Sequence, residues 1–279
     1  MISGTTELIA HIGFPTHTFK SPAIYNPYFQ QAGIDAVLVP MASEAADFPS
    51  FLRALFTVRN LRGAVITMPH KISTLGLLTH LSVGAQIAGA CNAVRRNADG
   101  SLEGDMFDGI GFVRAVQRQG FKVDGARVLV VGAGGVGSAI AASLASGGAE
   151  AISLFDSSAE SAQRLAERIE KYCPGVILKT GVNDASGYDL IVNATPMGMN
   201  LGDPMPLDVS RINAGAFVCD VVHSKEPTAF LQAAKARGAR IQGGADMLYE
   251  QIPAYLEFFG LPATTPGALR ALVSGSKED

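Results

Sequence analysis

Gly132-Ala133-Gly134-Gly135-Val136-Gly137 decides the fold. The six residues satisfy G-x-G-x-x-G, a pattern that acquires meaning only from its flanks. Arg127–Val131 before it reads as a buried strand. Gly135–Ser146 after it reads as a helix, and Ala151–Phe155 as a second strand closed by Asp156. In that setting Gly132 permits the tight turn, Gly134 lets backbone approach a pyrophosphate, and Gly137 lets the helix pack closely on the strand. With Ala133, Gly135 and Val136 they form a loop that leads into a helix N-terminus, whose N–H groups favour phosphate oxygens. The reading is a dinucleotide site in a doubly wound, Rossmann-type α/β domain.

Asp156 refines it. A carboxylate at the end of the second strand accepts hydrogen bonds from both ribose hydroxyls and repels a 2′-phosphate. Ser157 and Ser158 after it carry no positive charge. The expectation is NAD in preference to NADP. Ser157 and Glu160 form a capping-box pattern that starts the next helix, with Ala162, Leu165, Ala166 and Ile169 on one face. Residues 189–193 and 216–221 read as later strands, so strands and helices alternate as in a parallel sheet with crossover helices.

Residues 128–149 carry no charge and are long enough to suggest a membrane span. Gly132, Gly134, Gly135, Gly137, Gly147 and Gly148 interrupt them. At about 1 kcal/mol per glycine relative to alanine, a continuous helix is disfavoured.

Towards the N-terminus the alternation continues. Glu7–Gly13 and residues 34–39 read as short strands, and residues 22–32 as a helix made less regular by Pro27. Residues 47–58 read as a helix with Asp47 as cap and Phe48, Phe51, Leu52, Leu55 and Phe56 on one face. Residues 62–66 read as a strand. Thr67-Met68-Pro69 then predicts a helix entry with Thr67 as cap, which places Lys71 in a first turn, where the helix dipole favours its neutral form.

Bulk properties narrow the function. The 279 residues are 48% hydrophobic and 17% charged, enough for the cores of two domains. A net charge of −3 gives no basic surface for nucleic acid. Cys91, Cys173 and Cys219 show no C-x-x-C spacing, and the five histidines no H-E-x-x-H. A disulfide framework and a metal site are therefore not expected, and a reducing cytoplasm is. The N-terminal ten residues lack the pattern of a signal peptide.

Several scattered segments together resemble the shikimate dehydrogenase family: Gly13-Phe14-Pro15 with Lys20-Ser21-Pro22; Gly63 through Lys71; Gly89-Ala90-Cys91-Asn92; Gly104 with Asp108-Gly109; the glycine loop; Asn193 through Met199; Asp220-Val221-Val222; and Met247-Leu248 with Gln251. The resemblance implies a mixed-sheet α/β substrate domain over residues 1–107, completed by residues 245–279, and an NAD domain over 108–244. It implies Lys71 and Asp108 as the catalytic pair. Ser21, Thr67, Asn92 and Gln251 are implied as substrate ligands, Thr195 and Met247 as cofactor-binding residues, and Val221 and Gly244 as nicotinamide neighbours. Gln251 also lies on or beside an apolar stripe of Met247, Leu248, Ile252, Tyr255 and Phe258. A buried amide there needs partners, and a ligand hydroxyl is one.

The sequence departs from the family on the substrate side. The family's His-Ser-x-Ser-Pro reads Thr18-Phe19-Lys20-Ser21-Pro22, so one carboxylate-binding serine is Phe19. The family's Asn before its Thr is Val65, its Asn-Thr-Asp-Gly is Met106-Phe107-Asp108-Gly109, and its Tyr is His223. Lys20 and His223 are candidate positive partners for a carboxylate. A site that loses hydrogen-bonding groups to an acid discriminates against it. The expected activity is reversible NAD-linked hydride transfer at a hydroxyl of a small alicyclic hydroxy acid, by a monomer or homodimer. The alternatives are a family member acting on a different polyol and a non-catalytic NAD-binding regulator.

Overall fold

The computed structural model describes residues 2–224 and 226–275. The chain forms two compact units. One comprises Met1–Ala85, Ala90–Phe107 and Gln251–Asp279; the other comprises Gln86–Gly89 and Asp108–Glu250.

The first unit is built on a six-stranded mixed sheet. Its strands are β1 (Glu7–Gly13), β2 (Ala36–Ala42), β3 (Leu61–Ile66), β4 (His80–Leu81), β5 (Ala93–Arg96) and β6 (Leu102–Asp105), in the order β2-β1-β3-β5-β6-β4. The pairs β2-β1, β1-β3 and β6-β4 are parallel, whereas β3-β5 and β5-β6 are antiparallel. Helices α1 (Pro22–Gln31) and α2 (Phe48–Leu55) cross over between the parallel strands. Phe48 and Leu52 of α2 pack with Ala10, Ile12, Ala64 and Ile66 into one core. Asp47 occupies the N-cap position of α2, but its side chain makes no cap hydrogen bond.

Residues 67–72 form no helix, contrary to the expectation. A 3-10 turn follows at Ser73–Leu77. The reason lies in the carbonyls. Those of Met68 and Lys71, which a helix would use internally, accept instead from the N–H groups of Phe14 (2.9 Å) and Cys91 (2.8 Å). No helix dipole therefore acts on Lys71.

The second unit holds the six-stranded sheet built from β7 (Arg127–Val131), β8 (Ala151–Phe155), β9 (Ile177–Thr180), β10 (Leu190–Asn193), β11 (Phe217–Asp220) and β12 (Arg240–Gln242). Every pair is parallel, and the order β12-β11-β10-β7-β8-β9 reverses beside β7, the doubly wound arrangement. Helices α4 (Asp108–Arg118), α5 (Gly135–Ser146), α6 (Ala159–Tyr172) and α7 (Ala229–Ala236) belong to this unit. The unit boundaries fall inside α3 (Val83–Ala88) and α8 (Ala245–Phe258), and α9 (Pro266–Gly275) ends the first unit. The cap of α6 is Ser158, which accepts from the Ser161 N–H, one residue later than the capping-box pattern placed it. Among the described residues no helix is long and apolar enough to cross a membrane. The uncharged segment 128–149 is divided between β7, the glycine loop and α5.

Candidate active site

In the second unit the glycine loop stands where the strand order reverses. Gly132 has φ +106°, a conformation glycine adopts without strain, and a Cβ there would meet the Ala194 carbonyl at 2.8 Å. A Cβ on Gly137 would collide with the Gly132 carbonyl, so helix and loop meet there backbone to backbone. Around Gly134, by contrast, nothing lies within 4 Å of a Cβ position, and no side chain caps α5. An exposed glycine before uncapped helix N–H groups fits a dinucleotide pyrophosphate.

Asp156 is bound into this loop. Its Oδ2 accepts from the Ala133 N–H at 2.7 Å and its Oδ1 from the Ser158 N–H at 2.8 Å. On the other side of β7, a buried polar network shapes the loops after β10 and β11. Asn193 Nδ2 donates to Asp220 Oδ1 (3.1 Å) and to the Met197 carbonyl (3.0 Å). Asn193 Oδ1 accepts from the Thr195 hydroxyl at 2.6 Å. Asp220 also accepts from Thr228 Oγ1 (2.7 Å) and the Val222 N–H (3.0 Å). Burial raises the Asp220 carboxyl above the usual carboxylate range, against the pull of these donors. Thr195 and Val221 are thus held from beneath by two residues the sequence reading did not place in the site. Gly244 lies against the Val221 backbone, with no room for a Cβ. Met247 is buried in the core of this unit, and His223 is exposed in the loop after β11. Asp108 opens α4 and is buried.

In the first unit Thr67, Lys71 and Asn92 lie around the ends of β1 and β3. Gly13 ends β1, and a Cβ on it would run into the Thr67 methyl. Thr67 follows β3 and donates its N–H to the Ile12 carbonyl at 2.9 Å. His70 is structural. Its ring stacks on Phe48 at 4.0 Å, its Nε2 lies 2.8 Å from the Ser43 carbonyl, and it is 1% exposed. Its own carbonyl accepts from Thr74 Oγ1 (2.8 Å) and Ser73 Oγ (3.1 Å). Lys71 comes next, half-buried, on backbone held at both sides.

Asn92 is fully buried. Its Oδ1 accepts from the Phe107 N–H at 2.9 Å, and its carbonyl accepts from the Ile66 N–H at 2.8 Å. Gln251 is buried with its Oε1 lacking a hydrogen-bond partner. Ser21 is buried at the start of α1, where its side chain makes no cap bond. Lys20 is exposed.

The sequence reading missed His11. It is 5% exposed in β1 and stacked on Phe19 at 4.0 Å, and its Nδ1 has no partner. Burial, then the positive charge of Lys71, lowers its pKa to about 4. A polar residue inside the otherwise apolar Leu8–Gly13 run was the available signal.

Comparison with known proteins extends these observations. Residues 11–94 match the family model of the shikimate dehydrogenase substrate binding domain, and residues 114–200 that of shikimate / quinate 5-dehydrogenase. The chain is 34% identical over 279 residues to a shikimate dehydrogenase (NADP(+)) of Rubrobacter xylanophilus, covering 98% of each protein. Its fold matches shikimate 5-dehydrogenase of Listeria monocytogenes in complex with shikimate and NAD, with TM-score 0.89, 26% identity and 98% of each chain covered. It also matches 5-ketofructose reductase of Gluconobacter sp. strain CHM43, with TM-score 0.84, 25% identity, and 97% of this chain and 98% of that one covered.

The expectation of NAD in preference to NADP is overturned. Curated relatives along nearly the whole chain carry NADP(+) in their names. An acid at the end of the second strand does not by itself mark a ribose ligand, because here it has a structural task. Two of its lone pairs serve the backbone of the glycine loop and of the α6 entry.

Proposed function

The chain belongs to the shikimate dehydrogenase family, and from that premise we propose that it catalyses the reversible, NADP-linked oxidation of a ring hydroxyl on a small alicyclic hydroxy acid of the shikimate or quinate kind. The observation that carries the reading is the anchored backbone at Lys71, whose carbonyl accepts from the Cys91 N–H within the matched substrate-binding segment. The bound dinucleotide would supply the hydride acceptor or donor. Gly132, Ala133, Gly134, Gly135, Val136 and Gly137 would hold its pyrophosphate, with Asp156 bracing that loop through the Ala133 N–H and Thr195, Val221, Gly244 and Met247 as further cofactor contacts.

Lys71 is assigned the acid–base role. Its amine takes the hydroxyl proton in oxidation and returns it in reduction. Asp108 is the second member of the catalytic pair. Thr67, Asn92 and Gln251 would bind ring hydroxyls, the orphaned Gln251 Oε1 being an acceptor that such a hydroxyl completes. Ser21 and His223 would flank the acid group.

A second reading is favoured by Phe19 and Val65. Two positions that carry polar groups in the family are apolar here, which suits a less charged polyol. The likeness to a 5-ketofructose reductase supports it.

The test is turnover of shikimate, quinate and cyclic polyols with NADP and NAD in parallel, for the native chain and Lys71→Ala. Loss of a positioned acid–base group should lower kcat by about 10²–10⁴-fold while dinucleotide affinity is unchanged. Native turnover by Lys71→Ala would sink the assignment.

A further inference from the structure

We propose that His11 is a specificity-determining residue of the substrate-binding unit, donating or accepting a hydrogen bond at an uncharged oxygen of the substrate beside Lys71. The proposal rests on the second reading above, a family dehydrogenase acting on a less charged substrate, and it goes further in naming the residue that recognises what that substrate presents.

Position comes first. Side chains alternate along β1, so Ala10 and Ile12 enter the core under α2 and His11 faces the other way. The register of β1 with β3 sets His11 opposite Val65, and partners in parallel strands share a face. Val65 is one of the positions where a polar group has been lost. The structure therefore carries a polar side chain one strand away, on the same sheet face.

The chemistry of the ring comes next. Among the described residues, His11 Nδ1 and Gln251 Oε1 are the buried side-chain atoms without a hydrogen-bond partner. Both belong to the first unit. Native proteins rarely leave such atoms unpaired, and a ligand is one thing that completes them. Phe19 stacks on the imidazole at an interplanar angle of 28° and fixes its plane. The absent Cβ of Gly13 brings Thr67 and the Phe19 Cζ close around the same strand end. His11, Phe19, Thr67 and Lys71 thus form one cluster.

The electrical state follows. Burial and the charge of Lys71 keep the imidazole neutral at working pH. A neutral imidazole offers one donor and one acceptor and no charge to balance a carboxylate. With the Phe19 ring beside it, this wall suits a hydroxyl or carbonyl oxygen and disfavours a carboxylate, whose desolvation it leaves uncompensated.

The experiment compares shikimate with its analogue in which the carboxylate is replaced by a hydroxymethyl group. Native chain, His11→Val, His11→Asn and Phe19→Ser are each assayed for kcat/KM with NADP. Loss of one neutral hydrogen bond predicts about a tenfold fall for the hydroxymethyl analogue in His11→Val, with shikimate changed much less. His11→Asn, which keeps a neutral donor and acceptor, should recover part of the fall. Phe19→Ser should move the preference towards shikimate. Equal effects of His11→Val on both compounds, or none on either, would overturn the proposal while leaving the dehydrogenase assignment intact. If the native chain turns over neither compound, the imidazole resonances of 15N-histidine-labelled protein decide the matter, the His11 signal being the one missing from His11→Val. Its displacement by the hydroxymethyl analogue supports the contact. An unmoved signal with both compounds refutes it.

Discussion

The Asp156 carboxylate accepts the Ala133 N–H at 2.7 Å, joining the end of β8 to the turn that begins the glycine loop. With the Ser158 N–H on its other oxygen, one side chain braces both the loop and the entry to α6. Asp156→Asn keeps a single acceptor oxygen and loses the charge. Charge-assisted hydrogen bonds contribute about 1.5–3 kcal/mol each when buried, and Asp156 is only partly so. The expected loss is about 1–2 kcal/mol in a urea titration, with weaker binding of NADP and NAD alike. Unchanged stability would show that the loop holds itself.

His11 should leave a mark on stability as well as on specificity. Its folded pKa of about 4 lies below the ordinary 6.5, so the unfolded chain binds the proton more readily. The stability is complete above the ordinary value and is lost as pH falls towards 4. The drop corresponds to about 3 kcal/mol. Thermal melts of His11→Val between pH 7 and roughly pH 4 should show a shallower decline than the native chain. Parallel curves would mean that the imidazole titrates normally.

Asp220 has the opposite sign. Burial raises its pKa, so folding favours the protonated carboxyl. That stabilisation is present below the ordinary carboxylate pKa and is lost as pH rises through the raised folded value. Asp220→Asn should flatten this part of the stability profile. It should also loosen Thr195 through Asn193, raising KM for the dinucleotide more than it lowers kcat. A profile identical to the native one would remove Asp220 from the account.

Gly244→Ala tests the approach of two backbones. The added Cβ meets the carbonyl of Val221, and neither strand end nor helix start can yield as a flexible side chain would. Overpacking of this kind typically costs about 1–3 kcal/mol. The second unit should melt earlier, and dinucleotide binding should weaken. Native affinity and melting would show that the segment relaxes freely.

The parts legible in the sequence are those whose physics is local. The glycine loop, β7, β8 and α5 follow from neighbouring residues, and their bounds coincide with those the sequence implies. The family motifs singled out Lys71, Asn92 and Gln251, all of which fall in the first unit. The helix expected after Thr67 failed because Phe14 and Cys91, distant in sequence, claim the carbonyls of Met68 and Lys71. The cofactor expectation failed similarly, since nothing in the spacing of Asp156 announces its bond to Ala133. His11 stayed hidden until the register placed it opposite Val65 and against Phe19.

The burial of His70 has one more consequence. With its ring clasped by Phe48 and Ser43 and its carbonyl accepting from Ser73 and Thr74, the segment around Lys71 is a loop in outline only. Its amides should exchange with deuterated solvent on the slow timescale of the sheet beneath it. The amine it carries is delivered from a fixed mount, and the motion available to Lys71 is that of its own four-carbon chain.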